Sequence, residues 1–203
     1  MHNSASETHG YNAGGTPHGA TYPNSGDVIE KFAFATDANS TNVADMFHAV
    51  TGGCGCSSVT HGYAAGGSTD GGAPGITDVI QKWSMVTDAD GTDVANLASR
   101  RLGRTGSSSL THGYKPGGAN LASAQTDEIE KFTFASDSNA TSVGDLTAAQ
   151  YGTGGGASSE DNGYVASGMW INIIEKYSHV TDGNSADVAD VSTPRQESAG
   201  NHV

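Results

Sequence analysis

The sequence predicts an all-β protein made of four similar units, and three observations carry this prediction. The phrase Thr-His-Gly-Tyr begins at Thr8 and returns at Thr60 and Thr111, and a weaker version begins at Asp161. A second phrase, rich in β-branched and aromatic residues, follows each copy of the first. The tyrosines of the first phrase recur at intervals of 52, 51 and 50 residues: Tyr11, Tyr63, Tyr114 and Tyr164.

The second phrase predicts a strand with both faces covered. Side chains alternate between the two faces of a strand, so Phe32 and Phe34 share one face with Glu30, while Ile29 shares the other with Lys31. Apolar groups on both faces indicate a sheet packed between two neighbours. Because Glu and Lys point in opposite directions, we expect the Glu of one unit to form an ion pair with the Lys of the next.

The remaining strands of each unit follow from the turn residues. Asp and Asn cluster after the second phrase, as in residues 36–41, and bond readily to nearby backbone amides, which predicts a hairpin turn. A second strand then covers residues 41–47. A third strand is predicted through residues 57–67, ending at paired glycines. Each unit therefore contains three to four antiparallel strands.

Units of about fifty residues with three to four strands and two covered faces are typical of the blades of a β-propeller. The four predicted blades span residues 8–59, 60–110, 111–160 and 161–203, with residues 1–7 completing the last one. Pairing of the N- and C-terminal segments would then close the ring. A straight β-solenoid is one alternative, and pairing of the ends between chains, which builds a larger ring or a fibre, is another.

The paired glycines that end a strand, and the charged pair followed by an aromatic residue, as in Glu30-Lys31-Phe32, resemble the kelch repeat. That family forms β-propellers, and its tryptophan position is matched here by Trp83 alone. The sequence is also similar to repeat proteins of marine bacteriophages. The second resemblance implies a structural protein of a virion.

Composition limits the partners. The formal net charge is −13 with only nine Lys and Arg, which excludes a nucleic-acid binder, since such proteins need basic clusters to displace phosphate counterions. The apolar runs are too short for a membrane span, and the first residues do not resemble a signal peptide. Cys54 and Cys56 are expected to be small loop residues. The sequence therefore predicts protein partners or self-assembly in a virion or extracellular setting.

The predicted turns are also candidate calcium loops, because oxygen ligands at every second residue can surround a hard cation. The spacing resembles the calcium loops of integrin-type propeller repeats, while capping of a hairpin turn is the alternative. No other cofactor is predicted. The candidate ligands are Asp37, Asn39, Thr41, Asp45, Asp88, Asp90, Thr92, Asp137, Asn139, Thr141, Asp145, Asp182, Asn184 and Asp190.

Three repeated histidines, His9, His61 and His112, could bind a transition metal near an axis or could fix the repeat by hydrogen bonds. The sequence contains no nucleophile elbow, phosphate loop or zinc-protease motif, so the protein is predicted not to be an enzyme.

Recognition is expected in the variable loops between the phrases, with His18, Tyr22 and Trp170 as candidate ligand-binding residues. The predicted function is a structural or interaction module. The alternative is a propeller, stabilised by calcium, that binds a glycan or receptor.

Overall fold

A computed structural model describes residues 2–16, 26–69, 75–120, 122, 124–151, 154–168 and 170–195. These residues form sixteen β-strands and no α-helix. The strands make four antiparallel sheets of four strands each, arranged as a four-bladed β-propeller. The all-β prediction and the predicted number of blades are therefore confirmed. No helix of the described residues is long and apolar enough to cross a membrane.

Each blade is one repeat, and its strands are neighbours in the order in which the chain makes them. Blade 1 contains β1 (His2–Ala5), β2 (His9–Ala13), β3 (Val28–Ala33) and β4 (Thr41–Asp45). Blade 2 contains β5 (Cys54–Ser57), β6 (His61–Ala65), β7 (Val79–Ser84) and β8 (Ala89–Asn96). Blade 3 contains β9 (Ser107–Ser108), β10 (His112–Ala119), β11 (Gln125–Thr133) and β12 (Thr141–Gln150). Blade 4 contains β13 (Gly155–Ser158), β14 (Asn162–Gly168), β15 (Ile171–Ser178) and β16 (Ala186–Asp190).

The Thr-His-Gly-Tyr phrase lies at a hairpin turn rather than inside one long strand. In blade 2 the predicted third strand divides into β5 and β6, because Ser58 and His61 close a turn between them. The Ser58 hydroxyl accepts a hydrogen bond from the His61 amide at 3.0 Å, and Thr60 Oγ1 lies 2.8 Å from His61 Nδ1. The phrase therefore starts β6 and fixes the turn before it.

The glycine of the phrase is required by an aromatic ring on the next strand. Gly62 pairs with Trp83 across β6 and β7, and any Cβ on Gly62 would overlap the indole ring. The same overlap with an aromatic side chain occurs at Gly10, Gly113 and Gly163. An aromatic side chain that covers a strand glycine is a known way to stabilise such a pair. The two repeated phrases are therefore linked by one packing contact per blade.

The paired glycines end each second strand with two left-handed residues. Gly66 has φ of 66° and Gly67 of 102°, conformations that glycine adopts without steric cost. In blade 4 Ser167 takes the first position with φ of 62°, and its hydroxyl binds the backbone of Arg195. The hydrogen bonds offset the strain of a non-glycine residue there.

The N-terminal strand belongs to the first blade. β1 pairs with β2 in the first sheet, and its register places Ser4 opposite Tyr11. The prediction that residues 1–7 complete the last blade is therefore wrong for the described part of that segment. Blade 4 takes its own first strand from residues 155–158 instead.

The core consists of three clusters, and each lies between two successive blades. Trp83 of blade 2 packs with Tyr11 and Ile29 of blade 1, and Phe132 of blade 3 packs with residues of blade 2. Tyr177 of blade 4 completes the series against blade 3. Stability therefore lies in the junctions between blades, as the pattern of two covered faces predicts.

Candidate functional site

The same ion pair joins every two successive blades. A lysine on the third strand of one blade binds the first aspartate of the turn that follows the third strand of the next blade. The distance between Lys31 Nζ and Asp88 Oδ2 is 2.8 Å. The three pairs are Lys31–Asp88, Lys82–Asp137 and Lys131–Asp182. The expectation that these lysines pair with glutamate was wrong, because the turn of the next blade reaches them first.

A second bond uses the third residue of the same turn. The side-chain oxygen of Asp90 accepts a hydrogen bond from the Asp45 amide at 3.0 Å. Asn139 accepts from the Asn96 amide, and Asn184 from the Asp145 amide, at 3.0 and 3.1 Å. Each turn therefore binds the last strand of the preceding blade.

These two bonds involve several of the predicted calcium ligands. In blades 2 to 4 the oxygens at the first and third turn positions contact the preceding blade, as the ion pairs and amide bonds show. The fifth- and ninth-position residues lie on the outer strands, and Thr41, Asp45, Thr92, Thr141, Asp145 and Asp190 are exposed there. Within the described ranges no group of three or more His, Cys, Asp or Glu side chains is placed to hold a metal ion. Calcium binding stays a prediction.

The docked turns share a strained backbone. Asp88, Asp137 and Asp182 have φ of 51°, 48° and 56°. Aspartate tolerates the left-handed region better than most residues, because its short side chain can bond locally. Here the carboxylate binds the lysine of the preceding blade instead, so the junction holds the turn in this conformation.

The tyrosines of the first phrase fill the junctions. Tyr63 stacks on Phe134 with ring centroids 4.6 Å apart, and Tyr114 stacks on His179 at 4.4 Å. The Tyr11 hydroxyl donates to the Met85 carbonyl at 2.9 Å. Burial raises the pKa of both Tyr63 and Tyr114 to about 12. These side chains are neutral packing groups, without the properties of a general base.

The side chains that precede the four equivalent lysines, here called the glutamate row, supply further bonds across the junctions. The row consists of Glu30, Gln81, Glu130 and Glu175. Glu175 accepts the Thr147 amide of blade 3 at 3.0 Å, and Gln81 accepts the His48 amide of blade 1 at 2.7 Å. Burial raises the pKa of Glu175. In blade 2 these two neighbouring side chains therefore contact both adjacent blades, Gln81 binding blade 1 and Lys82 binding blade 3.

One buried charge cluster, around Arg101, was not predicted from the sequence. Arg101 Nη2 lies 2.8 Å from Glu130 Oε1 and also contacts Glu128. Lys115 donates to the Gly103 carbonyl at 2.9 Å, and burial lowers the pKa of Lys115. Both basic residues hold the segment between blades 2 and 3, which is a structural role. The cluster joins residues that are distant in sequence, so only the folded structure reveals it.

The other predicted site residues are scattered. His9, His61 and His112 each lie beside the threonine that precedes them, with 2.8 Å between Thr Oγ1 and His Nδ1. Burial lowers the pKa of His61 and His112. Cys54 and Cys56 are buried and free, and both lie on strand β5 rather than in the expected loop.

Of the three candidate ligand-binding residues, only one can be placed. Trp170 is 64% exposed between β14 and β15, with φ of 65°. His18 and Tyr22 lie outside the described residues. The structure therefore does not bring the three together as a site.

Blade 1 has a face that no other described blade covers, here called the head face and formed by Glu30, Phe32, Phe34, Asp37 and Asn39. Phe32 is 42% exposed, whereas its counterpart Trp83 in blade 2 is 1% exposed. Phe34 is 56% exposed, against 6% for Met85. Asp37 and Asn39 are exposed and, unlike their counterparts, have no partner on another blade in the described structure.

Blade 4 has the complementary face, likewise covered by no other blade in the described ranges, here called the tail face and formed by Tyr164, Ile174, Lys176, Val188, Asp190 and Ser192. Tyr164 and Ile174 are half-buried, whereas the tyrosine and isoleucine at these positions are buried in blades 1 to 3. Val188 is 46% exposed. Lys31, Lys82 and Lys131 each pair with an aspartate, whereas Lys176 forms no such ion pair among the described residues. The first and last described blades therefore each present a face of the kind that is buried between successive blades.

Comparisons with known proteins support the fold. No protein-family model matches the chain, and no curated protein matches it. Among solved structures, one described as "Structure of YjhT" aligns with a TM-score of 0.79 at 10% sequence identity. The alignment covers 97% of this chain and 72% of that chain. A likeness at this identity supports a β-propeller fold, and the kelch and bacteriophage resemblances gain nothing from it.

Proposed function

We propose that the protein is a non-enzymatic structural and interaction module that docks through its head and tail faces. The observation that carries this proposal is the exposure of Phe32 and Phe34, at positions that are buried or half-buried in every other blade. A virion or another extracellular assembly is the setting we propose for it.

Simple energetics support docking at these faces. Full burial of one phenylalanine side chain stabilises a complex by about 1.5–3 kcal/mol. Contiguous exposed apolar patches on soluble proteins mark interaction sites. Phe32 and Phe34 are neighbours with ring centroids 5.9 Å apart, so they form one patch rather than two isolated residues.

The polar groups around the patch favour a specific partner. Asp37, Asn39 and Glu30 supply acceptors for a cation and for backbone amides, as their counterparts do inside the molecule. A surface evolved only for solubility would place charged side chains in the centre of the face. Here two adjacent aromatic rings share a blade face with exposed polar acceptors, a combination found in protein interfaces.

A second candidate function, glycan binding, is favoured by Trp170 alone. Its indole is exposed on a turn with a left-handed backbone, a conformation that costs about 1–3 kcal/mol for such a residue. A glycan array with the native protein and a Trp170→Ala variant tests this candidate. Loss of bound glycan in the variant would support it, and absence of any bound glycan with native protein would remove it.

The main proposal is tested by sedimentation of the native protein and of a Phe34→Lys variant. We expect the native protein to sediment as a species heavier than the 20.5 kDa chain, and the variant to sediment as a monomer. Phe47→Lys is the matched control, because Phe47 is 48% exposed but lies outside both faces. A native monomer at every concentration, or equal effects of the two substitutions, would contradict the proposal.

A further inference from the structure

We infer that the partner of these faces is a second copy of the chain, whose tail face docks on the head face in the register of the internal junctions. The inference rests on the proposed function and names its partner. The three internal junctions already show which groups cover a face of the head type, because in each of them the preceding blade covers it with a face of the tail type.

Charge complementarity specifies the central pair. In each internal junction the lysine of the third strand binds the first aspartate of the next turn, as with Lys131 and Asp182. At the ends of the array Lys176 and Asp37 occupy these two positions, and neither has such a partner among the described residues. Lys176 of one copy would therefore bind Asp37 of the next.

The backbone provides a second set of complementary groups. Ser185 donates its amide to the Asp145 carbonyl at 2.8 Å, and Asn184 accepts the Asp145 amide at 3.1 Å, so two bonds join one residue to the turn. The equivalent residues at the ends are Ser40, Asn39 and Asp190. The Ser40 amide of one copy would donate to the Asp190 carbonyl of the other.

A third bond involves the glutamate row. The Thr147 amide donates to Glu175 across the last internal junction at 3.0 Å. Ser192 lies two residues after Asp190, just as Thr147 lies two residues after Asp145, the equivalent aspartate of blade 3. The Ser192 amide is therefore placed to donate to Glu30 of a second copy.

The turn at Asp37 differs from the docked turns in the way this inference requires. Asp88, Asp137 and Asp182 have left-handed φ values of 48° to 56°, and Asp37 is not among the left-handed residues. Each left-handed aspartate is bonded to a lysine of the preceding blade. Docking of a second copy would convert Asp37 to the same conformation.

Because the two faces differ, the association is head-to-tail. Such an interface produces a closed ring if the rotation between copies closes, and a filament if it does not. It also makes a sharp test possible, since each face can be blocked without the other. Phe34→Lys blocks the head face, and Val188→Lys blocks the tail face.

The test mixes these two variants and measures mass by light scattering. We expect each variant alone to be a monomer of 20.5 kDa and the equimolar mixture to form a dimer that grows no further. If either variant self-associates, the interface joins like faces and the inference is overturned. If the mixture stays monomeric while the native protein assembles, the faces dock on something other than each other, and the proposed function survives.

The register is tested by exchange of charges. Asp37→Lys and Lys176→Asp should each raise the dissociation constant by about tenfold or more, and the double variant should recover most of the native affinity. Circular dichroism and unfolding curves confirm that each variant is folded. No recovery in the double variant would overturn the Lys176–Asp37 register, even if the mixing test succeeds.

Discussion

The junction between blades 2 and 3 and the head face of blade 1 present equivalent residues in opposite surroundings. Phe132 is buried in the junction, and Phe32 at the same position in blade 1 is 42% exposed. Terminal units of repeat arrays usually have a polar outer face that keeps them soluble. Blade 1 lacks this adaptation, because its outer face retains the composition of a buried one.

The largest expected effect is the loss of a ring from the internal junction. We expect Phe132→Ala to lower the free energy of unfolding by about 3–5 kcal/mol, because a buried aromatic residue leaves a cavity. Phe32→Ala is the matched variant and should cost about 1 kcal/mol or less in the monomer. Urea unfolding measures both, and equal losses would show that the two sites do not differ as described.

A pH effect should come from the first junction, where His2 is fully buried. Burial lowers the pKa of His2 from 6.5 to about 3, so the folded protein keeps the imidazole ring in its neutral form. Its contribution is fully present above the unfolded pKa and is lost as pH falls from 6.5 towards 3. The expected slope is up to about 1.4 kcal/mol per pH unit.

Comparison with a His2→Leu variant isolates this contribution. Burial raises the pKa of Glu130 and Glu175, which acts in the opposite direction as pH falls but is common to both proteins. The difference in unfolding free energy between native and variant should therefore change with pH in favour of the variant below about pH 6. Parallel pH profiles would contradict the burial of His2.

The repeat architecture was predictable because local residues determine it. Thr60 and Gly62 recur at nearly fixed intervals, and the alternation around Trp83 predicts a strand covered on both faces. The hairpin at Ser58 was missed because β-branched and small residues on both sides read as one continuous strand. Its side-chain cap could have been read from the repeated serine two residues before the threonine.

The junction partners were not predictable, because they depend on how far one blade is offset from the next. Lys82 could equally have met a glutamate or the aspartate of a turn, and the structure selects Asp137. The same offset decides whether the turn oxygens face a cation or a neighbouring blade. The pattern of residues along one strand contains no information on the offset between two blades.

A smaller effect is expected from the lysines. Lys131→Met should lower the free energy of unfolding by about 1 kcal/mol, because Asp182 loses its partner at a partly buried position. Lys176→Met, its counterpart on the tail face, should leave the stability of the monomer unchanged and weaken association. Unfolding curves and sedimentation of both variants check this, and a stability loss in Lys176→Met would mean that Lys176 has a partner within its own chain.

The smallest expected effect is that of EDTA, which tests the predicted calcium loops. Because Asp88 and Asp90 both contact blade 1, we expect EDTA to change the melting temperature by less than about 2 °C. Addition of calcium should have an equally small effect. A rise of many degrees with calcium would show that the turns hold a cation through their remaining oxygens.

Amide hydrogen exchange of two equivalent turns distinguishes a docked end face from a free one. In blade 3 the Ala140 amide donates to the Asn96 carbonyl at 2.8 Å, so the turn at residues 136–141 should be protected at every protein concentration. In blade 1 the turn at residues 36–41 should exchange fast in dilute protein and become protected as concentration rises, because the Ser40 amide then meets a second copy. Exchange at residues 36–41 that does not change with concentration would contradict the claim that the end faces dock on each other.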